Sequence, residues 1–318
     1  HGLSGSNALH RYRVAEGLGA AALSLDRAVA RLGEYDIVVC CTASPVAVLH
    51  VAEVERVMEA RASRPLLLVD MAMPRDVEGP NIEALTRIMQ LEKPKLYVTN
   101  SVLHNPTSYG ITPARAYQVL RIMEEYDAYI LEDDIYGDLH AGLSKGAPAL
   151  RYAALDQLKR VFYIASFSKC LGADLRVGLL CCPTEHVQGI LMRKMLSTMV
   201  CSEMNERIVH RLLVDGQHRR HLDKLRTRVA NAHAYMKIAL PEIGLEYPEH
   251  AQEGIFLWID TGVDTNALAL EAKNDGWLVA PGSLFSPKQG ASSMMRFNVT
   301  RTTPEFMQWL GDYLEKHR

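Results

Sequence analysis

Apolar runs that end abruptly in polar or charged side chains recur along this chain, and they constrain its fold more than any other feature. Residues 36–41 (Asp-Ile-Val-Val-Cys-Cys), 65–70 (Pro-Leu-Leu-Leu-Val-Asp), 96–103 (Leu-Tyr-Val-Thr-Asn-Ser-Val-Leu) and 129–136 (Tyr-Ile-Leu-Glu-Asp-Asp-Ile-Tyr) each read as a strand. Helical patterns at residues 8–18, 25–32 and 51–62 separate the first of them. Near-continuous β-branched and leucine runs alternating with helices predict parallel strands covered on both faces. In an open α/β sheet, ligands bind beyond the carboxyl ends of the strands. Asp133 and Tyr136 close one such run and Asn105 lies just past another, so all three are expected to face a crevice.

Residues 166–178 supply matching chemistry. They read Ser-Phe-Ser-Lys-Cys-Leu-Gly-Ala-Asp-Leu-Arg-Val-Gly. The Lys169 amine can form a Schiff base with an aldehyde, while Ser166, Ser168 and Arg176 offer donors and a fixed positive charge to a phosphate. An aldehyde and a phosphate on one molecule describe pyridoxal 5'-phosphate. By itself the pattern is shared with solvated loops. Asp133 and Tyr136 strengthen it, because a carboxylate keeps a pyridine nitrogen protonated and a tyrosine hydroxyl bonds a phenolic oxygen. Asn105 is a second partner for that oxygen.

With these motifs in this order, the chain resembles the fold-type I aminotransferases of class I/II, and most closely the aminotransferase domain of the MocR-like regulators. The resemblance runs from about residue 79 to 318. Asn105-Pro-Thr matches the family's Asn-Pro-Thr-Gly turn, Asp133-x-x-Tyr136 its ring-nitrogen and phenolate pair, and Ser166-x-Ser168-Lys169 its lysine segment, with Arg176 at the phosphate arginine. Gly254-Ile-Phe-Leu-Trp-Ile, Ala280-Pro-Gly-Ser-Leu-Phe and Met295-Arg-Phe-Asn-Val match the small domain and place Arg296 on the substrate carboxylate. The resemblance implies a three-layer α/β large domain with a smaller α+β C-terminal domain, a transaminase acting on an amino acid and a 2-oxo acid, and a homodimer.

Departures from the family pattern bear on the expected activity. Ser108 stands where the family has glycine, which strains the turn if that position needs a positive φ. Gly172-Ala-Asp replaces a proline-containing loop. The family's glycine-containing phosphate loop and its ring-stacking aromatic have no counterpart in residues 1–78, so weak cofactor binding and impaired turnover are expected.

Thr42-Ala-Ser-Pro45 and Asp70-Met-Ala-Met-Pro-Arg-Asp76 make residues 1–78 similar to part of the NADPH-binding domain of glutamyl-tRNA reductase, a partial Rossmann-like segment. Its Gly-x-Gly-x-x-Gly start is missing, so NADPH binding is not expected. The two resemblances meet near residues 74–80 with no linker-like composition between them, which reads as a chimera of residues 1–78, a large domain at 79–208, and a linking helix with small domain at 209–318. Two readings stand beside the transaminase: a sensor that binds cofactor and amino acid without turnover, and a fragment of an NADPH-dependent tetrapyrrole enzyme.

A formal charge of −2 argues against nucleic acid as the main partner. The basic run at 219–228 fits one solvated face of a long helix, and no helix-turn-helix segment is evident, so DNA binding is not expected. No apolar run approaches a membrane span and no signal peptide precedes His1, which with the cysteines predicts a cytoplasmic protein. The six cysteines read as buried thiols, and neither they nor the twelve scattered histidines show a zinc-binding spacing. His104, beside Asn105, reads as structural rather than as part of the site. A helix from about residue 206 to 236, interrupted near Gly216, and a final helix at 304–317 complete the expected layout.

Overall fold

The computed structural model describes residues 37–40, 67–70, 80–141, 149–197, 199–251, 253–286 and 290–318. The chain divides into two compact units, residues 1–39 with 46–68, and residues 40–45 with 69–318. Strands β1 (Ile37–Cys40) and β2 (Leu67–Asp70) pair in a two-stranded sheet, within the runs expected at 36–41 and 65–70. The helices expected at 8–18, 25–32 and 51–62 lie outside the described residues.

From residue 80 onward, helix starts follow local side-chain chemistry. Helix α1 (Ile82–Glu92) begins where Asn81 accepts the Ala84 N–H, and α2 (Pro113–Glu125) where Thr112 caps a first turn that opens on proline. Strands β3 (Leu96–Thr99), β4 (Tyr129–Asp133), β5 (Val161–Ser166) and β6 (Gly178–Cys181) form one sheet in that order. The first three are parallel, so their carboxyl ends share one edge, whereas β6 returns antiparallel to β5. That antiparallel strand corrects the all-parallel expectation. Residues 167–177 join β5 to β6 with only a single helical turn over Ala173–Leu175, and a parallel return takes a crossover of a dozen or more residues, usually a full helix. β3 is also shorter than the 96–103 run, because Asn100 leaves the ladder and its amide donates to the Asp133 carbonyl at 2.7 Å.

β4 shows why alternation matters here. Ile130 and Glu132 are buried on one face, while Leu131 and Asp133 point to the other. Glu132 faces the helical layer, where it accepts from the Ser101 hydroxyl and from the backbone N–H groups of Tyr152 and Ala153 at 2.8 Å each. Those two bonds cap α3 (Tyr152–Asp156). Burial pushes the Glu132 carboxyl above its ordinary range. The core beneath this sheet joins Met89, Val119, Met123, Ile130, Tyr152 and Val161.

Helices α4 (Val187–Ser197), α5 (Glu203–Val214) and α6 (Gln217–Glu242) follow. Gly216, at φ +65°, makes the break expected near that residue. Most of the basic run is exposed on α6, with Leu222 and Val229 turned inward and Arg226 half-buried, its Nε donating to the Asp138 carbonyl. The last sheet is antiparallel, ordered β7 (Phe256–Asp260), β9 (Met294–Asn298), β8 (Ala280–Pro281). Helices α7 (Thr265–Asn274) and α8 (Pro304–His317) complete its layer, and α8 has the bounds expected from sequence. A second core of Met236, Leu240, Leu257, Leu268, Met295 and Leu310 holds this part together. Val102, Leu103 and Leu139 pack against Leu225 and Ile255 where the larger sheet meets α6 and β7.

Of the described cysteines, Cys170 is buried, Cys181 and Cys182 are half-buried and Cys201 is exposed, which corrects the expectation of uniformly buried thiols. No helix among the described residues is long and apolar enough to cross a membrane.

Candidate active site

The parallel strands deliver their polar ends to one edge of the sheet. Asp133 is the last residue of β4 and is half-buried, and its Oδ1 accepts the Ile135 N–H at 3.1 Å. Burial raises its proton affinity. The neighbouring Asp134 is committed elsewhere, because its Oδ2 accepts from Arg151 Nε at 2.5 Å and from the Tyr163 hydroxyl at 2.6 Å. Gly137 makes room for that arrangement, since a Cβ there would sit 2.1 Å from Asp134 Oδ1. The pairing separates the roles of two adjacent carboxylates.

Tyr136 follows in the turn after β4. Its ring meets Phe256 of β7 edge-on at 5.3 Å, the Lys169 amine lies 5.9 Å from its centroid, and burial pushes its phenol up. Lys169 is exposed, in the turn after β5. Ser166 donates to the Ser168 hydroxyl at 2.9 Å and accepts the Ser168 N–H at 3.1 Å, so the two hydroxyls stand together. Arg176 adopts a left-handed backbone, φ +52°, at the end of a single turn over Ala173–Leu175. Its exposed guanidinium donates to the Ala173 carbonyl at 3.5 Å.

The far wall comes from the small sheet. Arg296 on β9 lies between two rings, 4.2 Å from Phe256 and 4.8 Å from Phe285. Its Nη1 donates to Asn105 Oδ1 at 2.7 Å, and its buried Nε has no partner among the described residues. Ser108 does adopt the positive φ that its position demands, +57°, and its hydroxyl donates to the Phe256 carbonyl at 2.7 Å. His104 is buried with Nδ1 2.7 Å from the Thr107 hydroxyl, a structural position as expected.

Asn105, Asp133, Tyr136, Lys169 and Arg296 are thus linked around one edge, while the Ser166 and Ser168 hydroxyls stand together at the end of β5 and the Arg176 guanidinium, in the connection that follows, turns to the Ala173 carbonyl. Reading the sequence missed the role of Phe256, in β7, and Phe285, in the turn after β8, as the two walls of the Arg296 slot, because an isolated aromatic carries no signal beyond core packing. It also missed the pairing of Asp134 with Arg151.

A parallel sheet with a lysine, a carboxylate and a phenol at its strand ends, faced by an arginine from a separate antiparallel sheet, defines the fold-type I architecture. The chain belongs to the family aminotransferase class I and II, which matches residues 75–311. Residues 7–93 match the family shikimate / quinate 5-dehydrogenase, in keeping with a Rossmann-like segment there. The YdcR protein of Escherichia coli, named as an HTH-type transcriptional regulator, is 29% identical over 75% of this chain and 51% of its own length. The 2-aminoadipate transaminase of Thermus thermophilus is 27% identical over 72% of this chain and 58% of its own. The chain therefore spans a little over half the length of these curated relatives. Among solved structures, kynurenine aminotransferase of Pyrococcus horikoshii superposes with a TM-score of 0.70 at 23% identity, covering 91% of this chain and 72% of its own. The α-aminoadipate aminotransferase LysN of Thermus thermophilus gives 0.69 at 22% identity, covering 96% and 80%.

Proposed function

We propose that this chain binds pyridoxal 5'-phosphate and moves an amino group between an amino acid and a 2-oxo acid. The observation that carries this reading is the Arg296 slot. Its guanidinium is sandwiched by two rings, fixed through Nη1 by Asn105, and left with an unpaired buried Nε. A planar fork so held suits a bidentate carboxylate, because buried donors seek acceptors and the fork matches the spacing of the two oxygens.

The donor set also fits the cofactor, with one amine, one carboxylate of raised proton affinity, one phenol, two hydroxyls and one exposed guanidinium. When bound, pyridoxal phosphate supplies an aldehyde carbon and an electron-withdrawing ring. Asp133 holds the proton on the ring nitrogen, and Tyr136 and Asn105 bond the phenolic oxygen. Ser166, Ser168 and Arg176 take the phosphate. Arg296 and Asn105 fix the substrate α-carboxylate, which orients the α-hydrogen toward Lys169. Lys169 would be the base positioned to take that proton. Exposed Met195, Leu196, Met199, Val200 and Met204 on and around α4 and α5 support a homodimer.

A second reading, a sensor that binds cofactor and amino acid without turnover, draws support from the relatives named as HTH-type regulators. Borohydride reduction of the cofactor-loaded protein followed by peptide mass spectrometry tests the first reading. A pyridoxyl group on Lys169 is expected, and labelling spread over many lysines, unchanged by Lys169→Ala, would sink the assignment. Release of 2-oxo acid from an added amino acid then separates transaminase from sensor.

A further inference from the structure

Asp138, Cys170 and His218 converge beside the lysine turn, and the site described above uses none of them. Asp138 lies in the turn after β4, Cys170 directly follows Lys169, and His218 is in the first turn of α6. One ligand atom from each lies within 4.8 Å of the other two. Cys170 Sγ is 3.6 Å from His218 Nε2, and His218 Nε2 is 3.6 Å from Asp138 Oδ2. In a tetrahedral zinc site with bonds of about 2.3 Å to sulfur and about 2.0–2.2 Å to nitrogen and oxygen, the sulfur–nitrogen edge comes to about 3.6 Å and the nitrogen–oxygen edge to about 3.4 Å. The observed separations already stand close to those edges.

Each donor is also held in place. The Phe167 ring meets His218 edge-on at 5.6 Å, Arg226 Nε donates to the Asp138 carbonyl at 3.1 Å, and the Leu171 N–H donates to the Phe167 carbonyl at 2.8 Å, closing the turn that carries Cys170. The His218 ring and the backbone that carries Asp138 and Cys170 are thus positioned by neighbours that are not themselves ligands. Cys170 is buried and the His218 side chain is 11% exposed, while that of Asp138 is 45% exposed, which leaves a fourth position for water on the solvent side.

We propose that Asp138, Cys170 and His218 bind a zinc ion, with water as fourth ligand. One thiolate, one imidazole and one carboxylate suit a borderline-soft divalent ion better than calcium or magnesium, which favour oxygen alone. Binding exchanges the thiol proton for the metal and releases that proton to solvent. The ion joins the turn after β4, the turn carrying Lys169 and the start of α6, so it would stiffen the lysine turn from outside the crevice. The proposal is independent of the transaminase reading.

Titration calorimetry of the full chain with Zn²⁺ alone, together with the difference spectrum on adding Co²⁺, tests it. One ion per chain is expected, with a thiolate-to-cobalt charge-transfer band that Cys170→Ser removes and Cys201→Ser leaves in place. His218→Asn should weaken binding about 100-fold and Asp138→Asn about tenfold or more, since each removes one of three protein ligands. Because the Asp138 side chain is nearly half exposed, its variant tests the site without disturbing the core. Absence of stoichiometric binding, a band that survives Cys170→Ser, or unchanged affinity in both the His218 and Asp138 variants would overturn the site and leave only a hydrogen-bonded triad.

Discussion

Arg296 Nη1 donates to Asn105 Oδ1 at 2.7 Å across 191 positions of sequence, joining the turn after β3 to the central strand of the small sheet. The bond fixes one arm of the guanidinium while Phe256 and Phe285 hold its plane. Charge and orientation are thereby set before any substrate arrives, and the buried Nε is left without a partner among the described residues.

Arg296→Lys keeps the charge but loses the fork, the stacking and the bond geometry to Asn105. A charge-assisted hydrogen bond contributes about 1.5–3 kcal/mol, so losing one should raise KM for the amino acid about 10–100-fold. Steady-state kinetics with varied amino acid checks this. An unchanged KM would show that the carboxylate binds elsewhere.

Asp133→Asn removes the charge proposed to hold the ring nitrogen protonated while nearly preserving shape. Asp134 is tied to Arg151 and Tyr163 through its Oδ2, whereas among the described residues no such pair holds Asp133. Turnover should fall by about 10²–10³, as for loss of a strongly stabilising electrostatic contact, with a much smaller loss in cofactor affinity. Full activity in this variant would remove Asp133 from the mechanism.

Ser108 sets backbone strain against a hydrogen bond between the two sheets. A left-handed non-glycine residue costs about 1–2 kcal/mol, and its hydroxyl bond to the Phe256 carbonyl returns about 0.5–1.5 kcal/mol. Ser108→Gly relieves the strain but strands the same carbonyl at about 1–3 kcal/mol, so stability should stay within about 2 kcal/mol of the parent. Ser108→Ala keeps the strain and strands a carbonyl, so it should cost about 1–3 kcal/mol. Denaturant unfolding of both variants separates the two effects, and equal stability of alanine and glycine variants would contradict the account.

His250 stacks on Tyr109, with ring centroids 4.0 Å apart and planes 14° from parallel, and burial lowers its proton affinity below the ordinary value of 6.5. The unfolded chain then takes up the proton first as pH falls. The contribution of this residue is fully present above pH 6.5 and is lost as pH drops through the lower folded-state value. Thermal unfolding from pH 8 to about pH 5 should show the parent losing more stability than His250→Phe, which keeps the ring but cannot titrate. Parallel pH profiles would refute it.

The sequence by itself determined what depends on neighbours a few residues apart. The final helix follows from a threonine cap, proline in the first turn and helical periodicity, and its bounds, Pro304–His317, match the structure. The break at Gly216 follows from that residue's access to positive φ. The start of β4 was legible from its apolar run, although the strand stops at Asp133 rather than at Tyr136, and β5 was recognised only through the serine and lysine motif at its end. The bounds of β3 and the direction of β6 were not legible, since they depend on Asn100 reaching Asp133 and on how residues 167–177 bring β6 back along β5. Only the tertiary structure decided which of two adjacent aspartates stays available, through an arginine 17 positions beyond Asp134 and a tyrosine 29 beyond it. It likewise placed Cys170 against His218, 48 positions apart, in a cluster that no spacing rule detects. Periodicity and capping are short-range and leave a local signature, whereas a contact between distant segments exists only after the chain has packed, when the strand edge and the first turn of α6 bring them together.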